Sequence, residues 1–117
     1  MKIWLDDERP CPNGWVSTRW PHEVIAHLQT GKVREISLDH DLGNDDVGTG
    51  YGVILWIEEA VVVGNFRPPK ITVHSANPAA KRKMELGVAS IYRHFHTKHP
   101  LENVWSLAAK RRRRRNG

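Results

Sequence analysis

Val33-Arg34-Glu35-Ile36-Ser37-Leu38-Asp39-His40-Asp41 is the stretch on which the fold turns. A β-prone apolar run over 33–38 breaks off into an acidic group, Asp39-His40-Asp41, and then into a loop over 42–50 that holds Asp45, Asp46 and three glycines. The N-terminus repeats the event: Lys2-Ile3-Trp4-Leu5 reads as a short strand that stops at Asp6-Asp7-Glu8-Arg9-Pro10. A third clear strand over 70–74 ends in His74-Ser75-Ala76-Asn77-Pro78, an Asn N-cap followed by Pro at the first helical position, so a helix must follow. In that helix Met84, Val88, Ile91 and Phe95 recur at intervals of four, three and four, which marks one buried stripe.

Between these landmarks the chain is punctuated by turn residues. Pro10, Pro12 and Asn13-Gly14 make a loop, 15–18 suits a second brief strand, and Pro21 opens a helix with Val24, Ile25 and Leu28 on one face that ends at Gly31. The segment 51–63 is apolar on most sides and predicts a largely buried helix closed by Gly64. Pro68 and Pro69 mark the next turn, and 103–107, with Trp105, suggests a further edge strand. Strands alternating with helices imply an α/β domain with an open, mainly parallel sheet of four to five strands. Helices are expected on both faces, in three layers, with ligands at the strand carboxyl ends.

At 117 residues the chain suits one domain, and 39% hydrophobic with 26% charged residues is ordinary for a globular protein. No apolar run approaches the ~20 residues that span a bilayer, and no signal-peptide pattern precedes Lys2, so a cytoplasmic location is expected. Cys11 is the single cysteine, which excludes an internal disulfide framework and a thiolate metal site. The net charge of +5 points toward nucleic acid until its distribution is read. Lys110, Arg111, Arg112, Arg113, Arg114 and Arg115 supply six of the 18 basic residues, and without them 12 basic residues face 13 acidic ones. The expectation is a folded domain over 1–109 and a disordered basic tail over 110–117, suited to non-specific contact with a polyanion.

All six aspartates fall in two groups, Asp6-Asp7 and Asp39-Asp41-Asp45-Asp46, whereas the seven glutamates are scattered. Hard cations such as Mg²⁺ and Mn²⁺ prefer carboxylate oxygens, and carboxylates crowded together repel unless a cation or protons neutralise them. Asp6, Asp7 and Asp39 directly follow apolar strands and are the candidate metal ligands; Asp45 and Asp46 suit turn-making as well as ligation. His74 can reach a phosphate there as a general acid or as an oxyanion donor. Ser75 and Asn77 offer hydroxyl and amide contacts to phosphate, although capping its own helix accounts for Asn77 equally well. Arg9 is placed to clamp a phosphate.

These residues resemble a known group. Leu5-Asp6-Asp7-Glu8, Leu38-Asp39 and Ser75 look like the acidic pair, phosphoacceptor aspartate and hydroxyl residue of response-regulator receiver domains. Trp4-Leu5-Asp6-Asp7-Glu8-Arg9-Pro10, Ser37-Leu38-Asp39-His40-Asp41-Leu42-Gly43, Thr49-Gly50-Tyr51 and Val73-His74-Ser75-Ala76-Asn77-Pro78 together resemble the cyclic-phosphate-processing receiver-like domain, over residues 2–95. The resemblance implies a flavodoxin-like fold. Two departures from ordinary receivers stand out: the short spacing between the acidic pair and Asp39, which abbreviates one strand-helix unit, and the absence of a Lys-Pro pair after a fifth strand.

The resemblance implies action on a cyclic phosphate, either a 2′,3′-cyclic-phosphate RNA end or a cyclic nucleotide, by a metal-dependent phosphoesterase in which Asp39 or Asp41 serves as base or nucleophile and His74 protonates the leaving oxygen. A receiver that accepts phosphate on Asp39, or a module that binds such a nucleotide or RNA without turnover, are the competing readings.

Overall fold

Residues 1–40 and 49–101 are described in the structure, a computed structural model, and their order is β1 (Lys2–Leu5), β2 (Val16–Thr18), α1 (Pro21–Leu28), β3 (Glu35–Leu38), α2 (Gly50–Val63), β4 (Lys70–Val73) and α3 (Pro78–Lys98). The expected strand at 103–107, the tail, and Asp41, Asp45 and Asp46 lie outside the described residues.

The four strands form one parallel sheet in the order β2-β1-β3-β4. Its register aligns Leu5 with Leu38 and Leu38 with Val73. Alternation along each strand then sends Ile3, Leu5, Ile36, Leu38 and Ile71 to one face, where they join Val24, Leu28, Val53, Ile54, Ile57, Val61, Met84, Ile91 and Phe95 in a single core. Each large apolar side chain buried in this way contributes roughly 1.5–3 kcal/mol.

Handedness explains why one face receives the helices. α1 carries the chain from β2 past β1 to β3, and α2 carries it onward from β3 to β4. Right-handed crossovers in one direction place both helices on the same side, and α3 packs beside α2 there, with Gly87 against Ile54. Helices on both faces were the expectation; among the described residues all three line this face. The physical reason is the β1–β2 connection, which passes through residues 6–15 without a helix. It is the abbreviated unit that the short spacing before Asp39 predicts.

Local chemistry fixes the element ends. Glu23, in the first turn of α1, accepts from the backbone N–H groups of Arg19 and Trp20, both at 3.0 Å. Asn77 caps α3, its Oδ1 accepting from the Ala80 N–H at 3.1 Å. Lys98, at the far end of α3, donates to the carbonyls of Val61, Val62 and Gly64 and satisfies the C-terminus of α2. Tyr92 seals the edge strand: its hydroxyl accepts from the Ile71 N–H at 2.9 Å and donates to the Pro69 carbonyl. Burial pushes that phenol up to about 12.

Candidate metal centre

Asp6, Asp39 and His74 occupy equivalent positions, each one residue beyond the carboxyl end of a strand. The ladder continues through them: the Asp39 N–H donates to the Leu5 carbonyl and the His74 N–H to the Leu38 carbonyl, both at 3.0 Å. On the far side, the Asp6 N–H donates to the Thr18 carbonyl. Sequence-distant residues are therefore held in step by backbone hydrogen bonds.

One ligand atom from each of Asp6, Asp39 and His74 lies within 4.8 Å of the others. Asp6 and Asp39 are buried, at 4% and 7% exposure, so their charges meet little screening by water. Asp6 is the most constrained member. Its Oδ1 accepts from the backbone N–H groups of Glu8 at 2.8 Å and Arg9 at 2.9 Å, while its Oδ2 faces His74 Nε2 at 3.0 Å. Burial pushes its pKa up, but the N–H donors of Arg9 and Glu8 and the His74 bond outweigh burial and hold the carboxyl below its ordinary value.

His74 lies across the central strand. Its ring stacks on Trp4 with centroids 3.9 Å apart and planes within 1°, and its Nδ1 is 2.7 Å from Ser37 Oγ. Trp4, Ser37 and His74 share the parity of the sheet face away from the helices, and the small serine of β3 leaves room for the imidazole. Trp15 meets Trp4 edge-on at 6.1 Å. Burial lowers the His74 pKa, overriding the raising effects of Asp6 and Asp39, so the ring is neutral near pH 7. An ionised Asp6 only accepts, so Nε2 carries the proton; Nδ1 is then an acceptor and Ser37 O–H donates to it.

The other residues singled out in the sequence surround this trio. Asp7 is adjacent but is not one of the three convergent donors; its Oδ1 is buried without a hydrogen-bond partner among the described residues. Arg9 donates from its guanidinium to the His74 backbone carbonyl, tying the β1–β2 connection to the end of β4. Ser75 is buried and its Oγ accepts from the Asn77 N–H at 3.2 Å. Asn77 spends its side-chain carbonyl on the helix cap. Sequence reasoning missed the roles of Ser37 and Trp4; their shared parity with His74 was the available signal, and it becomes readable only once β1, β3 and β4 are known to be neighbours.

The donor set suits a divalent cation. Two buried carboxylates and a neutral imidazole converge; Asp7, next to Asp6 in the chain, has a buried Oδ1 without a hydrogen-bond partner among the described residues, a polar atom of the kind a cation or its water shell satisfies.

A family model described as the Cyclic-phosphate processing Receiver domain matches residues 1–90. No curated protein and no solved structure matches the chain.

Proposed function

The chain belongs to the cyclic-phosphate processing receiver domain family, and from that premise we propose that it is a metal-dependent phosphoesterase that opens a cyclic phosphate on a nucleotide or an RNA end. The observation that carries this reading is the convergence of Asp6, Asp39 and His74 at the carboxyl edge of the sheet, where α/β folds take their ligands.

In this reading Asp6, Asp39 and His74 hold the ion, with Asp7 adjoining. His74 serves as a ligand rather than as general acid, because an imidazole kept neutral by burial is a good lone-pair donor and a poor proton donor. Mn²⁺ suits the mixed oxygen and nitrogen donors better than Mg²⁺. The ion supplies charge neutralisation at phosphoryl oxygen and lowers the pKa of water. Arg9 keeps N–H donors beyond the one it gives to His74 and orients the phosphate with Ser75. Asp41, two residues past Asp39, takes the proton of the attacking water. Water adds at phosphorus, one ring P–O bond breaks, and the released ribose oxygen takes a proton from solvent water while Asp41 returns its own to solvent, leaving a monoester from a 2′,3′-cyclic end or from a cyclic mononucleotide.

Phosphorus NMR on the full chain with a 2′,3′-cyclic-phosphate oligonucleotide and a panel of cyclic nucleotides tests the reading. Conversion in Mn²⁺ that is abolished by EDTA and by Asp39→Asn supports it. Unchanged substrate, with stable labelling of Asp39 by a small acyl-phosphate donor, selects a phosphoacceptor instead. Tight binding with intact ligand recovered selects a binding module.

A further inference from the structure

The bond between His74 Nε2 and Asp6 Oδ2 presents a chemical difficulty for the metal reading, on which this inference rests. A neutral imidazole has one N–H and one lone pair. While Nε2 is protonated toward Asp6 it has no lone pair to offer an ion in the same cleft, and the ring's lone pair sits on Nδ1, against Ser37.

The ring does not have to turn to solve this. Trp4 stacks flat on it, and both nitrogens are already engaged, one by Ser37 of β3 and one by Asp6 just past β1. A 180° flip would have to be made within that stack and would break both hydrogen bonds. Exchanging the tautomer in place keeps the stack and the Ser37 contact. A hydroxyl both donates and accepts through a single atom, and Ser37 is 95% buried, so little water competes for the role.

We propose that Ser37 is a reversible hydrogen-bond partner that sets the tautomer of His74. With the centre empty, Ser37 donates to Nδ1 and His74 gives its Nε2 proton to Asp6. With an ion on the Asp6 and Asp39 carboxylates, Ser37 accepts from Nδ1–H and the Nε2 lone pair turns to the ion. One proton leaves Nε2 and one arrives at Nδ1, exchanged with solvent, so the ring stays neutral and no net proton is released. Ser37 is a positioning residue: it acts through His74 and touches no substrate. It also gives the centre a chemical preference, because an ion that gains from nitrogen ligation benefits from the switch and an oxygen-seeking ion does not.

The test uses the full chain with ¹⁵N-labelled histidine, the His74 signals being assigned by their loss in His74→Gln. Long-range ¹H–¹⁵N spectra report the tautomer before and after addition of Zn²⁺, a diamagnetic probe, and separately of Mg²⁺. The expected result is Nε2–H in the empty protein and Nδ1–H with Zn²⁺. By calorimetry, Ser37→Ala is expected to weaken Zn²⁺ binding at this centre about tenfold and leave Mg²⁺ affinity within about twofold, while Ser37→Thr restores the wild-type ratio. Zn²⁺ bound through the Asp39-dependent site with the Nε2–H tautomer unchanged overturns the proposal while leaving the metal reading intact. So does Ser37→Ala binding Zn²⁺ as tightly as wild type. Absence of any Asp39-dependent metal binding overturns the metal reading itself. Should Ser37→Ala fail to fold, the wild-type spectra alone decide.

Discussion

His74, which follows β4, reaches over the central strand to bond Asp6, which follows β1, at 3.0 Å. Their strands are not neighbours, and two strand spacings amount to about 9.6 Å; the long reach crosses β3, whose small Ser37 meets the ring at Nδ1. Substituting Asp6 therefore acts on three segments at once. Asp6→Asn keeps an acceptor for the Glu8 and Arg9 N–H groups but presents an amide to His74, and is expected to fold with a loss of about 1–2 kcal/mol and to bind Mn²⁺ at least tenfold more weakly. Asp6→Ala leaves both N–H donors unpaired and is expected to cost more. Urea denaturation and calorimetric titration measure the two effects; wild-type Mn²⁺ affinity in Asp6→Asn would remove this carboxylate from the ligand set.

The pH dependence follows from His74. Its folded pKa lies below the ordinary 6.5 because burial disfavours the charged ring. As pH falls through about 6.5 the unfolded chain takes up the proton first, so stability decreases until the pH drops below the folded value. Asp6 adds a second loss at lower pH, since its folded pKa is below the ordinary 3.8 and its contribution disappears as pH falls through that folded value. Urea midpoints of the metal-free protein are expected to fall from pH 7.5 to 5.5, and to fall less in His74→Gln. Parallel curves for the two proteins would show that the ring titrates as it does in water.

Gly50 opens α2 directly against Asp39. A Cβ at this position would stand 2.0 Å from the Asp39 carbonyl oxygen and 2.9 Å from Met84 Cε, and the first of these is backbone that cannot swing aside. Gly50→Ala is expected to destabilise the fold by about 1–3 kcal/mol and to lower metal affinity by moving Asp39. Gly52→Ala, where no atom lies within 4 Å of the added carbon, is the matched control. Equal stability of the two variants in thermal unfolding would refute the close approach.

Metal removal is the most direct prediction. At a Mn²⁺ concentration of about 100 times the dissociation constant, binding to the folded state alone adds about 2.7 kcal/mol, so EDTA should lower the unfolding midpoint. Mn²⁺ should raise it further than equimolar Mg²⁺. Asp39→Asn should abolish both shifts; a midpoint indifferent to EDTA in the wild type would count against a resident cation.

The basic tail makes a separate prediction. Deleting 110–117 should reduce the salt dependence of binding to a generic RNA without changing turnover of a cyclic mononucleotide. An unchanged salt slope in filter binding would show that the six basic residues contribute no phosphate contacts.

Much of this architecture was legible in the residues. β1, β3, β4 and α3 announce themselves by apolar runs bounded by Asp, Pro and Asn, because those boundary residues have strong local preferences that tertiary contacts seldom override. Asp6 and Asp39 were recognisable as strand-end carboxylates on the same grounds. What could not be read locally was which residue of the Asp6-Asp7 pair turns inward, since both follow the same strand. The answer comes from the Asx-type turn in which Asp6 accepts from Glu8 and Arg9. Nor could the one-sided placement of the helices be read from periodicity: it depends on the strand order and on a crossover between β1 and β2 made without a helix.

The strict alignment of Leu5, Leu38 and Val73 would let an ion held by the polar cluster act as a proofreader of the folding chain. These strands have only four residues each, and sliding one by a single residue would expose its apolar side chains, an error the core itself rejects. A slip of two residues keeps the apolar alternation inward and is penalised much less by hydrophobicity. It would, however, carry a carboxylate or the imidazole about 6.6 Å along the strand, beyond the 4.8 Å within which the three donor atoms now converge. Any ion that needs all three together would then stabilise one pairing of the sheet over its nearest competitors, so that cation supply during synthesis would influence how much of the chain reaches the correct alignment.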